Sequence, residues 1–161
     1  MCQATGDILI LAPADGSFRA GDLNKILEYL KDCDLVVGTR TTRQLIEQGT
    51  NMKPVYRWMN VILGKLVEVT WWGQEPRFTD IGCSYRGIWK DSFLKIHDHL
   101  KAEDRTYLAE MMIEIVRHHM RCIEIPVSYY RRYGSIQDEA GNRWKYFLSV
   151  LTLIFKKRFF R

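Results

Sequence analysis

Two short apolar runs near the start of the chain predict β-strands on either side of a helix. Ile8-Leu9-Ile10-Leu11 precedes a turn at residues 13–16, and Asp34-Leu35-Val36-Val37-Gly38 follows a helical repeat at residues 23–30. Continuous apolar runs of this length are typical of strands buried in a parallel sheet. We therefore predict a buried strand, a helix that Asp22 is placed to cap, and a second, parallel strand.

Further along the chain, apolar residues repeat at helical spacing. Short repeats predict helices near residues 93–96 and 108–116, and residues 71–79 are predicted to form a loop. Residues 83–88 and 122–127 are strand-like. The strand at residues 122–127 contains a proline, which is typical of an edge strand. A long amphipathic helix is predicted from the stripe Met52, Val55, Met59, Ile62, Leu63 and Leu66. The expected fold class is α/β, with a mixed, mostly parallel sheet flanked by helices.

The last segment, residues 141–161, is predicted to be an amphipathic helix that follows a main domain of residues 1–140. Its apolar run from Tyr146 to Phe155 is followed by Lys156-Lys157-Arg158. No apolar run reaches the roughly 18 residues that cross a bilayer. Two arrangements fit this pattern: a helix lying in the headgroup plane of a membrane, or a helix docked on the domain with a solvated basic end.

Composition narrows the function classes. The chain has 161 residues, 47% hydrophobic and 27% charged, which indicates one folded domain and excludes disordered or collagen-like classes. The net charge of +5 gathers partly at the C-terminus, where it suits an anionic membrane surface, and no nucleic-acid-binding motif accompanies it. The four widely spaced cysteines predict reduced, buried thiols in a cytosolic setting. His97, His99, His118 and His119 have no partners at metal-binding spacing, so we expect no histidine metal site.

Asp15 is the first candidate for chemistry. It lies in the turn after the first predicted strand, at the edge where open α/β sheets bind ligands. A carboxylate there can hold a divalent cation against a diphosphate. An Asp-Gly pair after a strand is also an ordinary turn, so the residues alone leave both interpretations open.

Several sequence blocks resemble family-2 glycosyltransferases, including dolichyl-phosphate mannose synthases, in the order in which that family carries them. They cover most of the chain and comprise residues 5–18, 37–40, 57–60, 79–86 and 110–134. The resemblance implies the C-terminal half of a GT-A-like domain. It also implies transfer of a hexose from a nucleotide diphosphate sugar to a polyprenyl phosphate, at the cytoplasmic face of a membrane.

The resemblance also implies roles for individual residues. Asp15 matches the second acid of the family's Asp-x-Asp motif, which holds Mg²⁺ or Mn²⁺ and the sugar diphosphate, and Asp80 matches a catalytic carboxylate near the acceptor. Pro13 stands in place of the first acid, so another oxygen ligand must come from Asp7, from water or from outside this chain. Glu110 is a secondary candidate. The substrate-binding positions implied are Arg40, Arg57, Asn60, Arg86, Arg131 and Arg132.

Enzymes of this family begin with strands and helices that bind the nucleotide base. Here Met1 falls just before the block that starts at Thr5. We therefore expect an upstream segment or a separate chain to supply the nucleotide-binding half. The alternative interpretation is a non-catalytic, membrane-associated module or partner subunit that completes a split glycosyltransferase.

Overall fold

The fold is described from a computed structural model, which covers residues 1, 3–47, 50, 54–74, 76–133 and 140–160, with side chains from residue 143 onward in the last segment. Cys2 and Met52 of the sequence predictions lie outside these residues. Strands and helices follow one another along the described chain. They are β1 (Ile8–Leu11), α1 (Asp22–Tyr29), β2 (Leu35–Thr39), α2 (Pro54–Thr70), β3 (Arg86–Trp89), α3 (Lys90–His97), α4 (Tyr107–Arg117), β4 (Cys122–Pro126) and α5 (Ala140–Phe159).

The four strands form one mixed sheet in the order β1-β3-β2-β4. β2 pairs in parallel with β4, where Leu35 lies opposite Cys122, and antiparallel with β3, where Leu35 lies opposite Ile88. Three strands therefore run in one direction and β3 runs against them. All five residues of β2 are buried, as its uniformly apolar sequence predicts. The predicted α/β class, with a mixed sheet flanked by helices, is confirmed.

β1 differs from the prediction. It is an edge strand that pairs antiparallel with β3, rather than a buried strand in a parallel pair. Its Leu9 is 6% exposed, whereas Ile10 is 36% exposed. The reason is topological, because β3 arrives from much later in the chain and inserts between β1 and β2. β4 is an edge strand, as its proline predicted.

The predicted stripe of α2 is buried only in part. α2 buries Met59, Leu63 and Val67, whereas Val55 and Ile62 of the predicted stripe are more than half exposed.

The polypeptide after α2 passes close to the helix at Gly64. A Cβ at Gly64 would lie 2.6 Å from the carbonyl oxygen of Phe78, so only glycine allows this close approach. The predicted loop after α2 is confirmed, apart from a short 3₁₀ turn at Trp72–Gln74.

Asp22 does not cap α1 with its side chain, because the helix begins at Asp22 itself. Its carboxylate instead accepts a hydrogen bond from the main-chain N–H of Ser128 at 2.7 Å and pairs with Lys25 at 2.7 Å. The carboxylate is almost completely buried. Asp22 therefore ties α1 to the segment that follows β4.

α5 is docked on the domain. Val150 and Ile154 are buried in the same hydrophobic core as the sheet residues. Near the end of the helix, Lys157 Nζ lies 2.6 Å from Glu110 Oε1 and 2.8 Å from Glu114 Oε1 on α4. Glu110 also accepts hydrogen bonds from the main-chain N–H groups of Lys101 and Ala102, in the loop before α4. Its carboxylate therefore holds both α5 and this loop in place.

The opposite face of α5 is apolar and open to solvent. Its exposed residues are Trp144, Leu148, Phe155 and Phe159, which recur at helical spacing. Among the helices described, none has the length and hydrophobicity that crossing a membrane requires. The helix thus combines a docked inner face with an unpaired apolar outer face.

The described cysteines are free thiols. Cys33 and Cys83 are buried, and Cys122 is partly buried. Burial raises the pKa of Cys33 to about 11 and that of Cys83 to about 12. These thiols therefore stay protonated and unreactive at neutral pH.

Candidate functional site

Arg40 and Asp80 form a buried ion pair beside the end of β2. The guanidinium donates two hydrogen bonds to the carboxylate, at 2.7 Å from Nε and 2.8 Å from Nη2, and the main-chain N–H of Arg40 adds a third at 3.0 Å. Burial opposes the charge of Arg40, but the carboxylate of Asp80 outweighs it and raises the pKa of the guanidinium. Asp80 therefore holds Arg40 as a fixed cation.

Glu124 on β4 fixes the loop that carries Asp80. Its carboxylate accepts hydrogen bonds from the N–H and the hydroxyl of Thr79, at 2.8 Å and 2.7 Å, and from the N–H of Asp80 at 2.9 Å. Burial raises the pKa of Glu124 to about 7. The position of Asp80 is therefore set by a second carboxylate, which the sequence interpretation did not single out.

Asp15 lies in a tight turn after β1. Its Oδ1 accepts hydrogen bonds from the N–H of Ser17, at 3.0 Å, and from the Ser17 hydroxyl. Gly16 has φ of 72°, a left-handed conformation that glycine adopts without strain. Oδ2 of Asp15 lies 3.2 Å from Nε of Arg132. Partial burial opposes ionisation, but the bonds from Ser17 and the charge of Arg132 outweigh it and lower the pKa of Asp15.

Both carboxylates thus hold an arginine that faces a common cavity of about 320 Å³. Arg40 and Arg132 line this cavity together with Arg105 and Arg143. Arg40 also lies over the ring of Tyr129, 5.5 Å from its centroid, and Arg143 lies 3.7 Å from the ring centroid of Tyr56. Four guanidinium groups in one concave site favour a ligand that carries phosphate groups.

The remaining wall of the cavity is neutral and partly polar. α2 contributes Asn60 and Met59, the loop before β3 contributes Gly82 and Ser84, and α5 contributes Tyr146. The cavity therefore offers both cationic groups and neutral hydrogen-bonding groups. Such a combination suits a ligand with both a phosphate and uncharged hydroxyl groups.

Comparison with known proteins finds a similar transferase. The chain is similar to an undecaprenyl-phosphate mannosyltransferase of Micrococcus luteus. The two are 25% identical over 138 residues, which cover 78% of this chain and 50% of the mannosyltransferase. The chain thus spans about half the length of the curated relative that it matches. No family model matches the chain.

Of the residues predicted to bind substrate, the structure brings Arg40, Asn60 and Arg132 together around the cavity. Arg57 and Arg131 are not among the described residues that line it. Arg57 is half-buried on α2, and Arg131 is exposed, with its main-chain N–H bound to Glu47 at 2.8 Å.

Arg86 lies elsewhere and has a different environment. It is fully buried at the start of β3 and donates hydrogen bonds to the carbonyl oxygens of Cys83, at 3.0 Å from Nε, and Leu108, at 2.8 Å. Burial lowers the pKa of its guanidinium. A phosphate contact would require these bonds to break, so Arg86 acts here as a link between the loop before β3 and α4.

Sequence reasoning missed the cavity residues that come from α5. Arg143 and Tyr146 are three residues apart and so share one face of the helix. The sequence feature that could have identified them is this pair of polar residues, spaced i,i+3 at the start of an apolar run. The sequence interpretation left a membrane-bound and a docked helix open for this segment and assigned none of its residues to a binding site.

Within the described part of the chain, Asp15 stands as a single carboxylate. Its Oδ1 accepts hydrogen bonds from Ser17, and its Oδ2 pairs with Arg132. In the ranges that the structure describes, no three His, Cys, Asp or Glu side chains come close enough to hold a metal ion. Mg²⁺ takes a near-octahedral set of oxygen ligands, of which Asp15 alone supplies at most two.

Proposed function

We propose that this chain provides the phosphate-binding side of a hexosyltransferase that moves a hexose from a nucleotide diphosphate sugar to a polyprenyl phosphate. The cavity with four arginines, two of them held by Asp15 and Asp80, is the observation that carries the proposal. The similarity to the undecaprenyl-phosphate mannosyltransferase supports the choice of reaction and of acceptor class.

In the proposed reaction, an oxygen of the acceptor phosphate attacks the anomeric carbon of the donor hexose. A new carbon–oxygen bond forms, the bond from that carbon to the donor diphosphate breaks, and the nucleoside diphosphate leaves with the electron pair. The acceptor phosphate is already ionised at neutral pH, so no residue needs to remove a proton. The transition state gathers negative charge on phosphate oxygens, which preorganised arginines stabilise.

This assignment changes the role expected for Asp80. Its carboxylate is fully buried and bound to Arg40 by both oxygens, so it acts through Arg40 as a positioning residue. Asp15 has the corresponding relation to Arg132, although its side chain is 29% exposed. We propose that Mg²⁺ or Mn²⁺ binds with Asp15 as one ligand and that the nucleotide-binding half supplies the others.

We further propose that the protein works on the cytoplasmic face of a membrane, with the outer face of α5 against the lipid. Trp144, Leu148 and Phe155 on that face are each more than half exposed. Lys156 and Arg158 lie exposed near the end of the helix, where they suit anionic headgroups. Such a location would place the cavity close to a lipid-linked acceptor.

The test joins this chain to a nucleotide-binding half, for which the N-terminal half of the Micrococcus luteus mannosyltransferase is the natural source. Transfer of radiolabelled mannose to undecaprenyl phosphate is measured for the wild-type fusion and for Arg40→Met and Arg132→Met. We expect the rate to fall on the order of 10² in each variant. Lys31→Met, which removes an exposed ion pair with Glu28, is the matched control and should be silent. A fusion that folds and binds neither substrate would contradict the proposal.

The alternative function, a non-catalytic module that completes a split enzyme, is favoured by one observation. Pro13 stands where the family has its first acid, and the described residues bring no three His, Cys, Asp or Glu side chains together to hold a metal ion. In that case the fusion would bind substrates and transfer no sugar, whereas the same chain added to an intact transferase would alter its membrane binding. The mannose-transfer assay separates the two.

A further inference from the structure

The phenol of Tyr146 has no partner within the part of the chain that the structure describes. Its oxygen is buried, and Tyr146 lines the arginine cavity from α5. Burial raises the pKa of Tyr146 to about 12, so the hydroxyl keeps its proton at neutral pH. A buried hydroxyl without a hydrogen bond costs free energy, and native proteins rarely retain one without a reason.

The space beside this hydroxyl is shaped by the absence of a side chain at Gly82. A Cβ placed there would lie 3.0 Å from the Tyr146 oxygen and 3.3 Å from Oδ1 of Asn60. A donor and an acceptor therefore face the same small space. Both belong to the cavity wall, and Asn60 comes from α2 whereas Tyr146 comes from α5.

The pairing of donor and acceptor selects the kind of group that fits. A sugar hydroxyl can accept a hydrogen bond from Tyr146 and donate one to Asn60 at the same time. A fully ionised phosphate has no proton to donate and would leave the oxygen of Asn60 unsatisfied. The neutral corner at Gly82 is thus suited to a hydroxyl group, and the arginines are suited to the phosphate attached to the same ligand.

We propose that Tyr146 is a ligand-binding residue that, together with Asn60, hydrogen-bonds a hydroxyl of the transferred hexose in the corner at Gly82. This inference rests on the proposed function, and it makes α5 part of the binding site as well as a docking helix. Arg143, one turn before Tyr146 on the same helix, is one of the arginines of the cavity that suit the phosphate.

The test measures binding of two probes, mannose 1-phosphate and inorganic phosphate, to the 161-residue chain by calorimetry. In Tyr146→Phe, which removes only the hydroxyl, we expect mannose 1-phosphate to bind about 5- to 20-fold more weakly and phosphate to change less than about twofold. Gly82→Ala, which fills the corner with a methyl group, should likewise weaken the binding of mannose 1-phosphate more than the binding of phosphate. Tyr29→Phe, an exposed tyrosine at the end of α1, is the control.

Thermal unfolding distinguishes a ligand-binding role of the Tyr146 hydroxyl from a structural one. Because the hydroxyl has no partner among the described residues, Tyr146→Phe should keep the Tm unchanged or raise it. A lower Tm, an unchanged ratio of the two affinities, or an equal loss for both probes would overturn the assignment of Tyr146. If the wild-type chain binds neither probe, the arginine cavity itself is wrong and the proposed function fails with it.

Discussion

The guanidinium of Arg40 donates two hydrogen bonds to the carboxylate of Asp80, at 2.7 Å and 2.8 Å, in a buried ion pair. Each group is stable in the interior only because the other is present. The pair also turns the guanidinium toward the cavity and over the ring of Tyr129. Stability and ligand binding therefore depend on the same contact.

The first prediction concerns Asp80→Asn. This change leaves the charge of Arg40 buried without its partner, so we expect the free energy of unfolding to fall by about 3–5 kcal/mol. Urea unfolding followed by circular dichroism measures it. Asp98→Asn, at a side chain that is 92% exposed, is the control and should change stability by less than about 0.5 kcal/mol. Equal effects of the two substitutions would show that the buried pair is not formed.

The second prediction compares two turns of the same design. Asp15 accepts hydrogen bonds from the N–H and hydroxyl of Ser17, and Asp104 accepts them in the same way from Thr106. Of the two, Asp15 pairs with Arg132. In the fused enzyme we expect Asp15→Asn to lower kcat on the order of 10² and Asp104→Asn to leave it nearly unchanged, because Asn preserves both turns. Near-normal turnover by Asp15→Asn would reduce Asp15 to a turn residue.

The third prediction is a pH dependence of stability from Glu124. Its pKa is about 7 in the folded protein, against 4.5 for an ordinary glutamate. Between these values the folded state holds the proton and the unfolded state does not, so this stabilisation is complete below pH 4.5 and is lost as pH rises through 7. Unfolding in urea across this range, for wild type and Glu124→Gln, measures the difference. Glu28→Gln, at an exposed ion pair, controls for loss of a carboxylate.

If the free energy of unfolding falls with pH at the same slope in wild type and Glu124→Gln between pH 4.5 and 7, Glu124 is ionised in the folded state and the assignment of its pKa is wrong. A direct measurement is available from the carbon chemical shift of the Glu124 carboxyl. Its titration midpoint should lie near pH 7.

The fourth prediction concerns membrane binding. Lys157 is turned inward to Glu110 and Glu114, so Lys156 and Arg158 are the exposed basic residues in the last turn of α5. We expect the double change Lys156→Glu with Arg158→Glu to weaken sedimentation with phosphatidylserine vesicles about tenfold or more, at roughly 1 kcal/mol per basic residue. Phosphatidylcholine vesicles should show little binding by either protein.

The control for this experiment has the same change of net charge. Lys31→Glu with Lys95→Glu alters two exposed lysines, one in the turn after α1 and one on α3, and should retain vesicle binding. Equal loss in both double variants would mean that net charge alone attracts the protein to the vesicle. In that case α5 would have no special role at the membrane.

Local patterns predicted where the helices lie, because each helix buries part of an apolar stripe that its own sequence defines. α4 buries most of its apolar repeat and β2 is buried as its sequence indicates, whereas α2 leaves Val55 and Ile62 of its predicted stripe exposed. The pairing of β1 was not predictable in this way. Its neighbour β3 comes from a distant part of the chain, and an apolar run identifies a strand without identifying the strand beside it.

The geometry of the candidate site was predictable only in part, because it too depends on how distant parts of the chain meet. Arg40 and Asp80 were recognised from sequence blocks, but their direct contact depends on how two loops meet. Arg86 was expected to bind phosphate because it lies in a sequence block that resembles the glycosyltransferases, yet its guanidinium is bound in the interior by carbonyl oxygens of Cys83 and Leu108. The contribution of Tyr146 depends on which face of α5 turns inward, and the helix packing decides that.

α5 has consequences for how far a lipid-linked acceptor must travel. Its inner face carries Tyr146 to the cavity, and its outer face carries Trp144 and Leu148. A helix with its side chains is only about 10 Å across. In the proposed orientation, the reacting phosphate would therefore lie a single helix width above the bilayer, and an acceptor could reach it by lifting its headgroup and first isoprene units while the remaining tail stays dissolved in the lipid.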